Sequence, residues 1–81
     1  MITGAQLRAA RALLRWSAKE TAQRSGVALT TVQRLEQVDG PPPGRAQTVF
    51  ELQQTLESAG VEFVGTPDDR PGVRLTNRKK D

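Results

Sequence analysis

The chain has no cysteine and no histidine among its 81 residues. Without cysteine there is no disulfide and no thiolate metal site, and nothing points to an oxidising compartment. Without histidine the commonest general base and the commonest metal ligand are both missing. Ser17, Ser25 and Ser58 therefore have no evident base, and the paired carboxylates Asp68 and Asp69 fall in a stretch that reads as a turn. An enzyme is hard to build from these parts, and no cofactor or metal is expected. No apolar run nears the roughly 20 residues a membrane span requires, and the first residues lack the apolar core of a signal peptide. The expectation is a soluble, cytoplasmic protein with no membrane partner.

What remains is a small, basic, segregated chain. Its length makes one domain, and such a domain buries only about 60% of its unfolded surface. With no disulfide or metal, association with a second copy is the remaining cheap source of buried surface. The net charge of +3 conceals a pattern along the sequence. Residues 1–45 carry seven Arg/Lys and three Asp/Glu, residues 46–69 five acids and no base, and residues 70–81 five bases and one acid. A basic front half suits a polyanion, and an acidic strip between basic ends suggests a second face with a different role, although plain solvated surface accounts for the same charges.

Hydrophobic spacing gives four helices and two strands. Thr3 with Gln6 fits a capping box, Ile2 and Leu7 flank it at the spacing of a hydrophobic staple, and Leu7, Ala10, Arg11 and Leu14 share one face of a helix over 4–15. Arg11 is out of place on that face. Ser17 and Glu20 form a second capping box behind Trp16, opening a short helix over 18–24 with Thr21 and Ala22 facing inward. Gly26 stops it and Val27 plugs the corner. A third helix spans 29–37 on a narrow stripe of Val32 and Leu35, and the three prolines of "VDGPPPG" end it. A fourth spans 46–59 on Val49, Leu52, Leu56 and Ala59, with Gly60 as its stop. Beyond Gly60 the period changes to alternation in "VEFV" and again in "GVRL", across the polar loop "GTPDDRPG". A lone hairpin of this size is barely stable in water, so it must dock on the helices or pair with another chain. The division is residues 3–59 as a helical domain, 60–76 as a strand pair and candidate dimerisation element, and 77–81 as a frayed basic tail. The fold class is mainly α.

The second helix, the Gly turn and the third helix have the lengths of a helix-turn-helix unit. From Leu7 to Leu56 the chain resembles the Cro/repressor-type (XRE-like) helix-turn-helix regulators of bacteria and phages, through "LRAARALLRWSAKETA", "SGVALTTVQRLE" and "TVFELQQTLESAG". The closing "AGVEF" and "PGVRL" are similar to a subset of small XRE-like proteins. The resemblance implies a lambda-repressor-like fold and a DNA-binding transcriptional regulator that sets its third helix in the major groove. It implies an ion pair between Arg11 and Glu36, which would explain the arginine on an apolar face.

By position, the resemblance assigns base reading to Leu29, Thr30, Thr31, Gln33 and Arg34, and phosphate contact to Ser17, Lys19 and Arg45 with the N–H groups of the second helix. The side chains have the chemistry for base reading, since Thr can meet thymine, Gln adenine and Arg guanine. The rival role for Thr30 and Thr31 is a helix cap, and for Arg34 a phosphate contact. Arg8, Arg15 and Arg24 read as solvated surface. One departure stands out: the family commonly has Gln after the second helix's cap, where this chain has Ala18. The expected partners are double-stranded DNA and a second copy of the chain, forming a homodimer on a palindromic operator. The alternative is a protein-binding module, such as an antitoxin or antiactivator, with DNA binding secondary or lost and the acidic helix 46–59 offered to a protein partner.

Overall fold

The computed structural model describes residues 2–76. In chain order it contains α1 (Gly4–Leu14), α2 (Ala18–Ser25), α3 (Leu29–Glu36), α4 (Ala46–Ser58), β1 (Val61–Thr66) and β2 (Asp69–Leu75). The fold is mainly α, closed by a two-stranded antiparallel sheet. The helix ends fall within a residue or so of the spacing-based bounds. α1 stops at Leu14 because Arg15 takes a left-handed conformation, its N–H turning back to the Ala12 carbonyl. The basic tail expected at 77–81 lies outside the described residues.

The capping box of α1 is complete. Gln6 N–H donates to Thr3 Oγ1 at 3.0 Å, and Thr3 N–H donates to Gln6 Oε1 at 2.8 Å. The second box is only half made. Ser17 Oγ accepts from Glu20 N–H at 2.9 Å, but the Glu20 carboxylate is drawn one turn on to Arg24, at 3.0 Å. An i,i+4 cation on the same face outcompetes the return bond to the cap. Gly26, at φ 77°, ends α2 with its N–H on the Ala22 carbonyl, and buried Val27 fills the corner before α3.

The core gathers a stripe from each of α1, α3 and α4, to which α2 adds Ala22. Leu7, Ala10, Val32, Leu35, Val49, Leu52 and Leu56 are all almost fully buried, and Ile2 and Val61 close its ends. Each of the larger aliphatic side chains contributes about 1.5–3 kcal/mol through burial. α1 meets the end of α3 and the loop after it backbone to backbone. Gly4 N–H donates to the Gly40 carbonyl at 2.8 Å, and a Cβ on Gly4 would sit 2.1 Å from the Val38 oxygen.

The hairpin lies over α1 and α4. Val61, Glu62, Phe63 and Val64 face Leu75, Arg74, Val73 and Gly72 in turn. The long polar loop expected between short strands is instead a tight turn at residues 67–68, with both strands running further than the alternation suggests. A bulge between Val64 and Thr66 accommodates this, with Gly65 at φ 76° and Arg70 at φ 50°. Left-handed residues on both arms let the ladder continue through a segment whose composition reads as loop. Thr76 closes the open end, donating from N–H and Oγ1 to the Gly60 carbonyl at 2.7 and 3.0 Å. No helix among the described residues is long and apolar enough to cross a membrane.

Candidate nucleic-acid interface

α3 is divided sharply between two faces. Val32 and Leu35 are 1% exposed, while Thr30, Gln33, Arg34 and Gln37 lie open to solvent. Leu29 is 37% exposed, and Thr31 is half-buried at the boundary. Two β-branched threonines lower the intrinsic propensity of so short a helix, so packing must hold it. Neither threonine caps it: Ala28 stands at the N-cap, and no side chain bonds the first turn. The hydroxyls of Thr30 and Thr31 are therefore not used by α3 for its own start.

The other end of α3 is held by two arginines from α1. Arg11 donates to the Glu36 carboxylate from Nε at 3.0 and 3.1 Å and from Nη2 at 2.8 Å, and its Nη1 reaches the Trp16 carbonyl at 3.1 Å. Glu36 is 8% exposed, and its hydrogen bonds raise the Arg11 pKa above the ordinary arginine value despite partial burial. Arg8 donates to the Glu36 carbonyl, to the Val38 carbonyl at 3.1 Å and to Asp39 Oδ1 at 2.6 Å. Cations there complement the negative end of the helix dipole. Arg8 is thus a C-terminal cap for α3 and not the solvated surface its sequence context suggests. Arg24 is likewise engaged, lying 4.5 Å from the Trp16 ring centroid and bonded to Glu20.

The remaining cations differ. Arg8, Arg11, Arg24, Arg70 and Arg74 each pair with a carboxylate. Among the described residues, Arg15, Lys19, Arg34 and Arg45 pair with none, and all four are exposed. They stand at the end of α1, in the first turn of α2, on α3 and at the cap of α4. Ser17 is exposed at the α2 cap, its oxygen already accepting from Glu20 N–H.

Arg34 and Arg45 share an open cavity of about 390 Å³ with Thr31, Leu35, Gly44 and Thr48. No carboxylate lines it, and the first turn of α4 beside it carries neither an acid nor a side-chain cap. Sequence reasoning does not single out Gly44, Thr48 or Arg15 as site residues. For Arg15 a signal exists, since no acid stands three or four residues from it. The same holds for Arg8 and Arg11, whose partners come from α3 and the loop after it, so the signal alone does not separate free cations from bound ones.

The outer face of α4 is of opposite character. Phe50 is 53% exposed beside Glu51, and Glu57 follows near the end of the helix. No group of three or more His, Cys, Asp or Glu that could hold a metal ion occurs among the described residues. Compared with known proteins, the chain matches no family model, and no curated sequence is similar to it.

Proposed function

We propose that this chain is a sequence-specific double-stranded DNA-binding regulator of the helix-turn-helix, Cro/repressor type. It sets α3 in the major groove as a homodimer on a two-fold operator. The observation that carries this reading is the exposed hydroxyl, amide and guanidinium face of α3, whose unpaired Arg34 shares a cavity with the unpaired Arg45, while Arg15 and Lys19 are also exposed and pair with no carboxylate among the described residues. Elsewhere among the described residues the chain neutralises its arginines, so cations without a partner suit an external polyanion. Lys19, Arg45 and Ser17 hold phosphates and fix register, while Leu29, Thr30, Thr31, Gln33 and Arg34 meet base edges. Arg34 shares its cavity with Arg45, which suits a phosphate as well as a guanine. The half-sites stand about one turn, ~34 Å, apart, and α4 with the hairpin forms the surface between copies. The regulator works in the cytoplasm.

Selection of retained duplexes from a random pool is the deciding experiment. The expected product is an inverted repeat whose retention falls steeply with salt. Arg34→Ala should weaken binding to that site by about 1–3 kcal/mol. It should leave the melting temperature unchanged, because Arg34 pairs with no carboxylate among the described residues. Unchanged affinity in both Arg34→Ala and Thr30→Ala would remove the base-reading assignment.

The exposed Phe50 among the acids of α4 favours one second reading, a protein-binding module of the antitoxin or antiactivator kind. That reading requires little duplex retention even at low salt.

A further inference from the structure

Gln6 is only 4% exposed, unusual for an amide in the first turn of a helix. Its hydrogen bonds reach three different parts of the chain. Its Oε1 accepts from Thr3 N–H at 2.8 Å, completing the α1 cap. Its Nε2 donates to the Val64 carbonyl at 3.0 Å and to the Gly72 carbonyl at 2.9 Å. Val64 and Gly72 are directly opposed in the ladder, so one amide nitrogen holds both strands at a single rung. Apolar packing seats the rest of the hairpin, with Val61 in the core and Phe63 and Val73 lying against it. Val61 is the one fully buried strand residue, whereas Phe63, Val64 and Val73 are half-buried and Leu75 is 51% exposed.

The same turn of α1 is pressed on the far end of α3. Gly4 N–H bonds the Gly40 carbonyl at 2.8 Å, and a Cβ on Gly4 would lie 2.7 Å from the Leu35 oxygen. Arg8, two residues beyond Gln6, holds the Glu36 and Val38 carbonyls. The first two turns of α1 therefore touch the hairpin on one side and the C-terminus of α3 on the other.

We propose that Gln6 is a positioning residue: by tying both hairpin strands to the α1 cap it fixes the hairpin relative to α3, and so sets the spacing at which two copies present α3 to a duplex. This rests on the reading of α3 as the base-contacting helix and of the hairpin as part of the surface between copies.

Gln6→Glu separates the two jobs of the side chain. A carboxylate still accepts from Thr3 N–H, since Glu serves a capping box as well as Gln does. It replaces the donor with an oxygen facing two carbonyl oxygens. Amide hydrogen exchange on the full chain should show residues 61–75 exchanging about tenfold faster or more, the factor implied by two lost hydrogen bonds. Leu7, Val32 and Leu35 should be unaffected. Gln6→Met, which puts no charge in the site, covers the case in which Gln6→Glu fails to fold. It too should speed the hairpin amides relative to Val32 and Leu35. Equal acceleration everywhere, or none, overturns the proposal.

The second readout is retention of duplexes bearing two selected half-sites at varied separation. The unsubstituted chain should prefer one separation, and Gln6→Glu should accept several while holding a single half-site as well as before. Loosened hairpin amides with an unaltered spacing preference overturn the positioning role. If the unsubstituted chain retains no duplex, the reading of function fails instead, and the tie between Gln6 and the hairpin stands or falls on the exchange rates.

Discussion

The helical body and the hairpin are built on different principles. In the body, Leu7, Val32, Leu35, Leu52 and Leu56 are each at most 2% exposed, and four helices share one core. In the hairpin, Val61 alone is buried to that degree, Phe63 and Val73 pack against the core only in part, and polar ties add direction: Gln6 at the middle, Thr76 on Gly60 at the open end, and Arg74 on Glu62 on the strands. Hydrophobic burial is non-directional and tolerant, whereas hydrogen bonds fix orientation and contribute only about 0.5–1.5 kcal/mol each. The body is therefore the stable unit, and its outer surfaces are free to carry any chemistry. The hairpin is the oriented unit, and it should open first.

Truncating the body's core is the most severe way to test that ranking. Leu52→Ala removes a side chain 1% exposed and should cost about 2–5 kcal/mol. Because the hairpin leans on α4, body and hairpin should melt together in one lowered transition by circular dichroism. A hairpin that survived loss of the body would reverse the comparison. Glu36→Ala comes next. It leaves Arg11 facing a vacated, half-buried site and should cost about 3 kcal/mol, the low end for a buried pair because the Arg11 side chain is still 26% exposed. Urea denaturation gives the figure. Replacing the pair by Arg11→Met with Glu36→Leu should recover most of that loss, which would show that the pair orients α3 more than it stabilises the fold.

The same contrast explains what the sequence makes legible. The body can be read because its signals are local. Thr3 with Gln6, Gly26, the prolines after Val38 and Gly60 each mark an end, and the Val32/Leu35 and Leu52/Leu56 stripes mark the inner faces. The hairpin's existence follows from alternation, but its length and seat do not. Arg70 at positive φ carries no composition signal, and the bonds from Gln6 to Val64 and Gly72 span 58 and 66 residues. In the sequence, Gln6 is fully accounted for by its cap. Arg8 reads as solvated for the same reason, its partners lying 28, 30 and 31 residues away. In the candidate interface, the exposure of Thr30, Gln33 and Arg34 follows from the stripe opposite them, whereas the cavity joining Arg34 to Arg45 and Thr48 depends on how α4 approaches α3.

Two smaller changes act on the hairpin alone. The larger is Gly65→Ala, which places a Cβ 2.2 Å from the Arg70 carbonyl oxygen at a residue with φ 76°, strain worth about 1–3 kcal/mol. The expected signature is faster exchange of residues 61–75 with little change in the body. A Tm shift of the whole chain comparable to that of Leu52→Ala would contradict the separation drawn above.

The finest distinction is electrostatic. Arg74 donates to Glu62 from Nε at 2.8 Å and from Nη2 at 3.1 Å, and these hydrogen bonds, with the attraction of the charges, hold the Glu62 carboxyl below its usual range. A depressed carboxylate stabilises the folded hairpin above its unfolded pKa, and that contribution disappears as pH falls through the lower folded value. The loss therefore belongs below the ordinary glutamate value of about 4.3, and both partners are exposed, so it is small. NMR titration of the Glu62 carboxyl should give a midpoint below that value in the native chain and near it in Arg74→Gln. If the two midpoints coincide, the cross-strand pair orients nothing, and the hairpin's placement is left to Gln6, Thr76 and the packing of Val61, Phe63 and Val73.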